Sequence, residues 1–173
     1  MDAPRLRAAP IRTARLRLEP LRVEHAREAA AAFDDVALHA YIGGEPASAA
    51  ALRDRFERQV VGRSTDGAED WLNWIVRRAD TDELIGTVQA TVEHAHGASG
   101  AAEVAWVVAV PHQGHGFARE AAAAMVSWLR EQRVGSVLAH VHPQHGASAG
   151  VARAIGLRPT GTMVDGEERW STA

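Results

Sequence analysis

The sequence predicts an α+β (mixed α/β) domain in which a mostly antiparallel sheet of seven strands is flanked by about four helices. Three observations support this fold class. Strand-like and helix-like segments alternate along the chain without an internal repeat. Several consecutive strands are joined by short turns and therefore form hairpins. One helix in the middle of the chain links two strands as in a βαβ crossover. At 173 residues the chain is long enough for one domain with a real core.

The first half of the chain is predicted to contain three strands and two helices. Leu16 and Leu18 alternate with charged residues, as in a half-buried strand, and an alanine-rich helix follows. Ser48 is a good N-cap for a second helix, whose apolar residues recur every four positions. The turn at 80–82 joins the next two strands into a hairpin. The predicted segments are Thr13–Leu21, Val23–Phe33, the helix capped by Ser48, Trp71–Arg78 and Leu84–Glu93.

The second half is predicted to contain four strands and two helices. His94–Gly100 has the composition of a flexible loop and precedes a third antiparallel strand. Gly135 is a candidate C-terminal cap for the central helix, and Asp165-Gly166 is a typical hairpin turn. The predicted segments are Glu103–Val110, Phe117–Gln132, Val137–His142, Ala147–Ile155, Leu157–Met163 and Glu167–Thr172. We expect residues 1–12, which are rich in arginine and proline, to be a flexible tail, and 13–173 to be the single domain.

Composition excludes several classes of function. The net charge of −3 argues against a nucleic-acid-binding protein, and the lack of cysteine excludes disulfides and thiolate chemistry. No apolar run is long enough for a membrane span and no signal peptide is visible, so we expect a cytoplasmic protein without membrane contact. Nine histidines raise the question of a metal site, but no metal-binding motif is present and we expect no metal.

A glycine-containing loop separates the strand Glu103–Val110 from the central helix. Its sequence is Gln113-Gly114-His115-Gly116-Phe117-Ala118. Glycines let a ligand approach the backbone, and the start of a helix offers free N–H groups and a positive dipole. The segment therefore suits a phosphate or pyrophosphate. Because Arg119 replaces the third glycine of a dinucleotide fingerprint and no P-loop follows, the residues alone also allow a plain strand-to-helix turn.

Four stretches of the chain resemble the GNAT N-acyltransferase superfamily. The pattern Q-x-x-G-x-A at Gln113, Gly116 and Ala118 resembles the acetyl-CoA signature of that family. The first strand, 13–18, is similar to the opening of the branch that includes ribosomal-protein N-terminal acetyltransferases. The hairpin strand that begins at 84 and the segment 142–157 also resemble their family counterparts. The likeness covers nearly the whole chain, in the right order.

The resemblance implies where acetyl-CoA would bind. In this family the sheet splays open beside the strand that precedes the glycine loop. The arm of the donor pairs with the backbone of that strand, and its pyrophosphate lies on the loop and the helix start. The implied donor-binding residues are Val108, Ala109, Val110, Gln113, Gly114, His115, Gly116, Phe117, Ala118, Arg119, His145 and Ser148. His145 stands where most members have asparagine, and it can still donate one hydrogen bond.

The resemblance also implies direct attack of an amine on the thioester, without a covalent enzyme intermediate. Glu103 is the candidate general base, although its position also suits a solvated glutamate at a strand end. Many members carry a tyrosine acid where this chain has Ala152, so His142 is a candidate acid in its place. Tyr41, the chain's single tyrosine, lies in a predicted substrate loop but matches no motif.

The predicted function is therefore that of an N-acetyltransferase that uses acetyl-CoA and a primary amine. The acceptor is a protein N-terminus or a small-molecule amine, and the family likeness also allows a homodimer. Glu45, Glu69 and Asp70 either attract a cationic acceptor or are solvated loop charges. The changes at 145 and 152 leave a second hypothesis open. In that hypothesis the chain is a catalytically inactive acyl-CoA-binding or regulatory module on the same fold.

Overall fold

The computed structural model describes residues 5–41, 43–95 and 98–172, which form eight strands and four α-helices. Single 3₁₀ turns occupy Val23–His25, Val36–His39 and Val110–His112. The helices are α1 (Ala26–Ala32), α2 (Ala49–Gln59), α3 (Phe117–Glu131) and α4 (Gly146–Ala154). The strands are β1 (Ile11–Arg12), β2 (Leu16–Pro20), β3 (Glu69–Arg78), β4 (Leu84–Ala95), β5 (Ala98–Val108), β6 (Ser136–Val141), β7 (Arg158–Val164) and β8 (Glu167–Ser171).

The described strands form one sheet in the order β1-β2-β3-β4-β5-β6-β8-β7. Neighbours pair antiparallel throughout this sheet except at β5–β6, which are parallel and joined through α3. The predicted mixed, mostly antiparallel sheet is therefore confirmed, with eight strands instead of seven. The additional strand is β1, which pairs with β2 through Ile11↔Leu18 and Arg12↔Arg17.

Part of the predicted tail packs onto the domain. The Trp74 indole N–H donates to the carbonyl of Ala9 at 2.8 Å, and the Leu6 N–H donates to Asp70 at 2.7 Å. Leu6, Ala8 and Ile11 lie against the core. The segment 5–12 thus satisfies polar groups that burial would otherwise leave unpaired. Residues 1–4 of that tail lie outside the described part of the chain.

Helices cover both faces of the sheet. On one face α3 buries Met125 and Leu129, and Trp128 meets Trp74 edge-to-face at 5.5 Å. On the other face α1 and α2 pack onto Ile75 and Leu84 in a second apolar cluster. Ser48 caps α2 as predicted, because its hydroxyl accepts the N–H of Ala51 at 3.1 Å. None of the helices in the described ranges combines the length and apolar character that crossing a bilayer requires.

Three of the ends predicted for β4 and β5 are wrong. The predicted loop His94–Gly100 is largely strand, because β4 runs to Ala95 and β5 starts at Ala98; residues 96 and 97 are outside the described part. Val110 lies in a 3₁₀ turn, since Pro111 cannot donate to a sheet and β5 ends at Val108.

Gly135 does not cap α3. Arg133 instead adopts the left-handed conformation, with φ 63°. Its N–H donates to Arg130 and the Val134 N–H donates to Leu129, which is the Schellman arrangement. Val134 and Leu129 are both buried, and the apolar contact that usually accompanies this motif therefore holds the end of α3 without a glycine.

Candidate active site

A gap opens in the sheet between β5 and β6. Within their described lengths the two strands pair at Ala101↔Ser136, Ala102↔Val137 and Glu103↔Leu138, and the register stops there. Beyond Leu138 β6 is paired only with β8, along its other edge, while β5 stays paired with β4 as far as Val108. The second half of β5 therefore lines the gap on one side, as the family resemblance implied.

The backbone at the end of β5 is divided between the sheet and the gap. The Val107 carbonyl oxygen lies so close to Gly86 of β4 that a side-chain carbon on Gly86 would collide with it. This carbonyl therefore faces β4. Alternation along the strand turns the polar groups of Val108 towards the gap. The Ala109 N–H is bound to β4 through Ile85 at 2.7 Å, and the Val110 carbonyl accepts the N–H of Gln113 at 3.2 Å. Val108, Ala109 and Val110 were the strand positions predicted to bind the donor. Of these, Val108 has its backbone polar groups on the side of the gap.

The glycine loop carries two left-handed residues, Gly114 (φ 76°) and Gly116 (φ 78°). Gly116 immediately precedes α3, whose ladder begins with the Glu120 N–H donating to the Gly116 carbonyl at 3.0 Å. The N–H groups of residues 117–119 precede this bond, so the helix does not use them. No protein atom among the described residues lies within 4 Å of a side-chain carbon placed on Gly114, so this side of the loop is open.

The Gln113 side chain braces this loop. Its amide nitrogen donates to the Val108 carbonyl at 2.9 Å and so ties the loop to the end of β5. A carbonyl oxygen has two lone pairs, and Val108 can therefore accept a second donor from the gap. His115 and Arg119 are exposed, Phe117 is buried, and Ala118 is half-buried at the start of α3.

Glu103 lies where the gap begins and contacts a histidine that the sequence did not single out as catalytic. Its carboxylate is 2.8 Å from Nδ1 of His140 on β6, and the Glu103 side chain is 55% exposed. The two residues are 37 positions apart in the chain. The parallel pairing of Glu103 with Leu138 brings them together on one face of the sheet.

An aromatic cluster lies beside β6 and the start of α4. The Tyr41 ring stacks on the His145 ring with centroids 4.2 Å apart, and it lies 5.3 Å from the His142 ring. Burial, and then the neighbouring His142, lower the pKa of His145, which favours its neutral form. His142 Nδ1 accepts the N–H of Gln144 at 3.1 Å. In neutral His142 the proton is therefore on Nε2.

The remaining predicted positions in this region are on α4. Ser148 is the third residue of that helix and is half-buried. Ala152 is fully buried, in the core cluster that includes α3. No acid can therefore act from position 152. The contacts of Tyr41 were missed because nothing local in the sequence links a loop before α2 to the turn before α4.

A cavity of about 200 Å³ lies on the face covered by α1 and α2. Thr87 and Gln89 of β4, Asn73 of β3 and Val107 of β5 form part of its floor. The register pairs Thr87 with Val107 and Gln89 with Ala105, so the same face of the sheet leads along β5 to Glu103. Apolar walls come from Phe33, Leu38, Leu52 and Phe56, and the charged lining residues are Glu45 and Arg55.

The acidic positions of the sequence have separate roles. Glu45 lines the cavity. Asp70 is fully buried and bonds to His94 Nε2 at 2.8 Å, and Glu69 accepts the indole N–H of Trp71 at 2.9 Å. Asp70, buried in β3, therefore neither attracts an acceptor nor is a solvated loop charge, and both alternatives are wrong for it. Within the described residues no group of three or more histidines or carboxylates is placed to hold a metal ion.

Comparison with known proteins points to one family. The family model described as an acetyltransferase (GNAT) domain matches residues 15–158. No curated protein sequence matches the chain at a significant level.

Solved structures with the same fold are similar over nearly their whole length. The ribosomal-protein-S5-alanine acetyltransferase from Vibrio fischeri has 17% identity and a TM-score of 0.74, covering 95% of this chain and 96% of that chain. Spermidine N-acetyltransferase from Vibrio cholerae in complex with CoA and spermine has 20% identity and a TM-score of 0.72, covering 92% and 94%. The microcin C7 self-immunity acetyltransferase MccE, in complex with acetyl-CoA and AMP, has 12% identity and a TM-score of 0.75, covering 93% of each.

Proposed function

Because the chain belongs to the GNAT acetyltransferase family, we propose that it transfers the acetyl group of acetyl-CoA to a primary amine of a protein N-terminus or a small molecule. The observation that carries this proposal is the gap between β5 and β6, which opens beside the glycine loop and the start of α3. Acetyl-CoA has matching parts: an amide-containing arm for a strand backbone and a pyrophosphate for a helix start. The complexes of MccE with acetyl-CoA and of the spermidine enzyme with CoA support the same donor.

In this proposal the loop and the helix start bind the pyrophosphate. The N–H groups of residues 114–119 donate to its oxygens, and the positive end of the α3 dipole favours its charge. Val108 pairs with an amide of the arm, while Gln113 keeps the loop against β5. His145 and Ser148 contact the arm from the side of α4. This arrangement holds the thioester in the gap, close to the beginning of the unpaired part of β5.

The chemistry requires one proton to leave the acceptor before it attacks. A primary amine is mostly ammonium at neutral pH, and Glu103 accepts its proton directly or through one water. His140, at 2.8 Å, holds the carboxylate in place. The amine nitrogen then bonds to the thioester carbon, and the carbon–sulfur bond breaks. The nitrogen loses its second proton to the departing thiolate, towards which His142 directs its Nε2–H as a hydrogen-bond donor. Most of the remaining rate enhancement comes from positioning.

The acceptor approaches through the cavity over β3, β4 and β5. The cavity places Asn73 and Gln89, two amide side chains, beside apolar walls, and it contains one carboxylate and one guanidinium among its lining residues. Such a lining suits an amine that also carries neutral polar and apolar groups. The folds that resemble this chain include enzymes named for ribosomal-protein and for spermidine acetylation, and both classes of amine belong in the test.

The inactive acyl-CoA-binding module remains the second candidate. It is favoured by the fully buried Ala152, which cannot act as an acid, and by histidine at position 145. Both candidates bind acetyl-CoA, but only the acetyltransferase transfers its acetyl group.

Thiol release from acetyl-CoA separates them. The panel contains peptides with different N-terminal residues, spermidine and aminoglycosides, and calorimetry measures CoA binding in parallel. We expect CoA binding and thiol release that depends on at least one amine. CoA binding without release on any amine supports the inactive module. Absence of CoA binding contradicts both.

A further inference from the structure

We propose that Arg15, with Thr13 and Glu120, is a clamp that pre-orients the glycine loop for the donor's pyrophosphate. Arg15 is a positioning residue in this proposal, since it acts on the loop from behind and not on the reacting atoms. The inference rests on the proposed function, because it concerns the same donor site. It also gives the first-strand motif Thr13-Ala14-Arg15 a role that strand pairing does not explain.

The clamp connects the turn between β1 and β2 to the first turn of α3 through one carboxylate. Glu120 accepts the Thr13 hydroxyl at 2.6 Å, the Arg15 backbone N–H at 2.9 Å and Arg15 Nε at 2.7 Å. Thr13 is itself fixed, because its hydroxyl oxygen accepts the Leu16 N–H at 2.9 Å. Burial alone would raise the pKa of Glu120, but the hydrogen bonds from Thr13 and Arg15 lower it overall, and the carboxylate is therefore ionised at neutral pH.

The same guanidinium sets the direction of one peptide unit in the loop. Arg15 Nη1 donates to the His115 carbonyl at 2.9 Å. In a trans peptide the carbonyl and the following N–H point in opposite directions, so the Gly116 N–H points away from Arg15. The guanidinium also lies 4.5 Å from the centre of the Phe117 ring. Arg15 therefore lies on one side of the loop, and the Gly116 N–H points to the opposite side.

Charge gives the clamp a second effect. An ionised Glu120 in the first turn stabilises α3 through the helix dipole, but it also repels a pyrophosphate at the same helix end. Arg15 pairs with Glu120 at 2.7 Å and offsets that repulsion. Loss of Arg15 should therefore weaken donor binding in two ways, through a misdirected N–H and through an uncompensated carboxylate.

The test compares Arg15→Ala with a matched control, Arg78→Ala. Arg78 also lies over the Phe117 ring, at 5.5 Å, but its guanidinium bonds to Asp80. We expect Arg15→Ala to raise the Kd for CoA about tenfold, which corresponds to ~1.4 kcal/mol, and Arg78→Ala to change it less than twofold. Glu120→Gln added to Arg15→Ala should recover part of the loss, because it removes the repelling charge.

A donor without pyrophosphate distinguishes the clamp from a general structural role. S-acetylpantetheine carries the thioester and the arm but no pyrophosphate. Arg15→Ala should lower kcat/KM about tenfold with acetyl-CoA and leave it within twofold with S-acetylpantetheine. Arg15→Lys keeps the charge but loses the forked contact with Glu120 and His115, so it should show a smaller loss of the same kind. This variant carries the test if Arg15→Ala does not fold.

The outcomes distinguish failure of the clamp from failure of the proposed function. Equal CoA affinity in the wild type and Arg15→Ala overturns the clamp alone. Equal losses with both donors show that Arg15 only supports the fold, which also overturns it. A wild-type protein that does not bind CoA overturns the proposed function.

Discussion

Replacing Glu103 with glutamine removes the proposed base and leaves the surrounding structure nearly unchanged. The side chain is 55% exposed, and the glutamine oxygen can still accept a hydrogen bond from His140. An exposed ion pair contributes about 0–1 kcal/mol, so the free energy of unfolding should change by less than that. A positioned general base contributes roughly 10²–10⁴ in rate. We expect kcat to fall at least about 100-fold, which is ~2.7 kcal/mol of barrier.

The assay is thiol release with the best amine of the panel, and acetyl-CoA is varied up to saturation so that both kcat and its KM are obtained. KM for acetyl-CoA should stay within twofold, because Glu103 lies at the closed end of the gap and the glycine loop lies beyond the end of β5. Activity of the variant should rise with pH, since a larger fraction of the amine is then unprotonated. Glu93→Gln, an exposed glutamate on neighbouring β4, is the matched control and should retain full activity. A Glu103→Gln variant with kcat within threefold of the wild type would refute the assignment of the base.

Three further predictions concern the loop, the aromatic cluster and acid stability. Gly114→Ala should lower the free energy of unfolding, measured by urea titration, by about 1–2 kcal/mol, because alanine is strained at φ 76°. It should also raise the Kd for CoA, because the added methyl group projects into the open side of the loop. Tyr41→Phe should keep the wild-type KM for acetyl-CoA, whereas Tyr41→Ala should raise it several-fold, since only the phenyl ring preserves the stack on His145, which contacts the donor's arm; equal KM in both variants contradicts this. Burial, followed by the charges of neighbouring arginines, lowers the pKa of His25 below its ordinary 6.5. The unfolded chain therefore binds more protons than the folded chain as the pH falls below 6.5, and stability that is complete above that pH is lost. His25→Gln should make the melting temperature fall less steeply with decreasing pH below 6.5, and an unchanged slope contradicts the assignment.

The elements with a strong local pattern could be predicted from the sequence. Leu16 and Leu18 are fully buried at alternate positions of β2, and Ser48 caps α2. The Asp165-Gly166 turn joins β7 and β8, with both residues at positive φ. These features are set by neighbours in the sequence, so composition and spacing are sufficient to identify them.

Features that depend on distant contacts could not be predicted. The strand β1 exists because segment 5–12 supplies partners for buried groups such as the Trp74 indole. The cap of α3 falls on Arg133 because Val134 and Leu129 close it, which overrides the preference for glycine. In both cases tertiary packing outweighs local propensity.

The residues of the site likewise divide into those that a local sequence pattern indicates and those that distant contacts bring together. The glycine loop is contiguous, and its two left-handed glycines were visible in the sequence as a candidate anion site. The family resemblance indicated Glu103 as the candidate base, but its neighbour His140 lies on another strand, 37 positions later in the chain. Arg15 appeared only as a charged residue of the first strand, because its target His115 is 100 positions away. Alternation on parallel strands could have suggested His140, whereas no local pattern indicates the partner of Arg15.

The most direct test of the account is a crystal structure of the protein with CoA. We predict that the pyrophosphate oxygens lie about 2.7–3.2 Å from N–H groups of residues 114–119, with the arm in the gap between β5 and β6 and the thiol end towards Glu103. CoA bound at another surface, or with its pyrophosphate away from the glycine loop, would contradict the account.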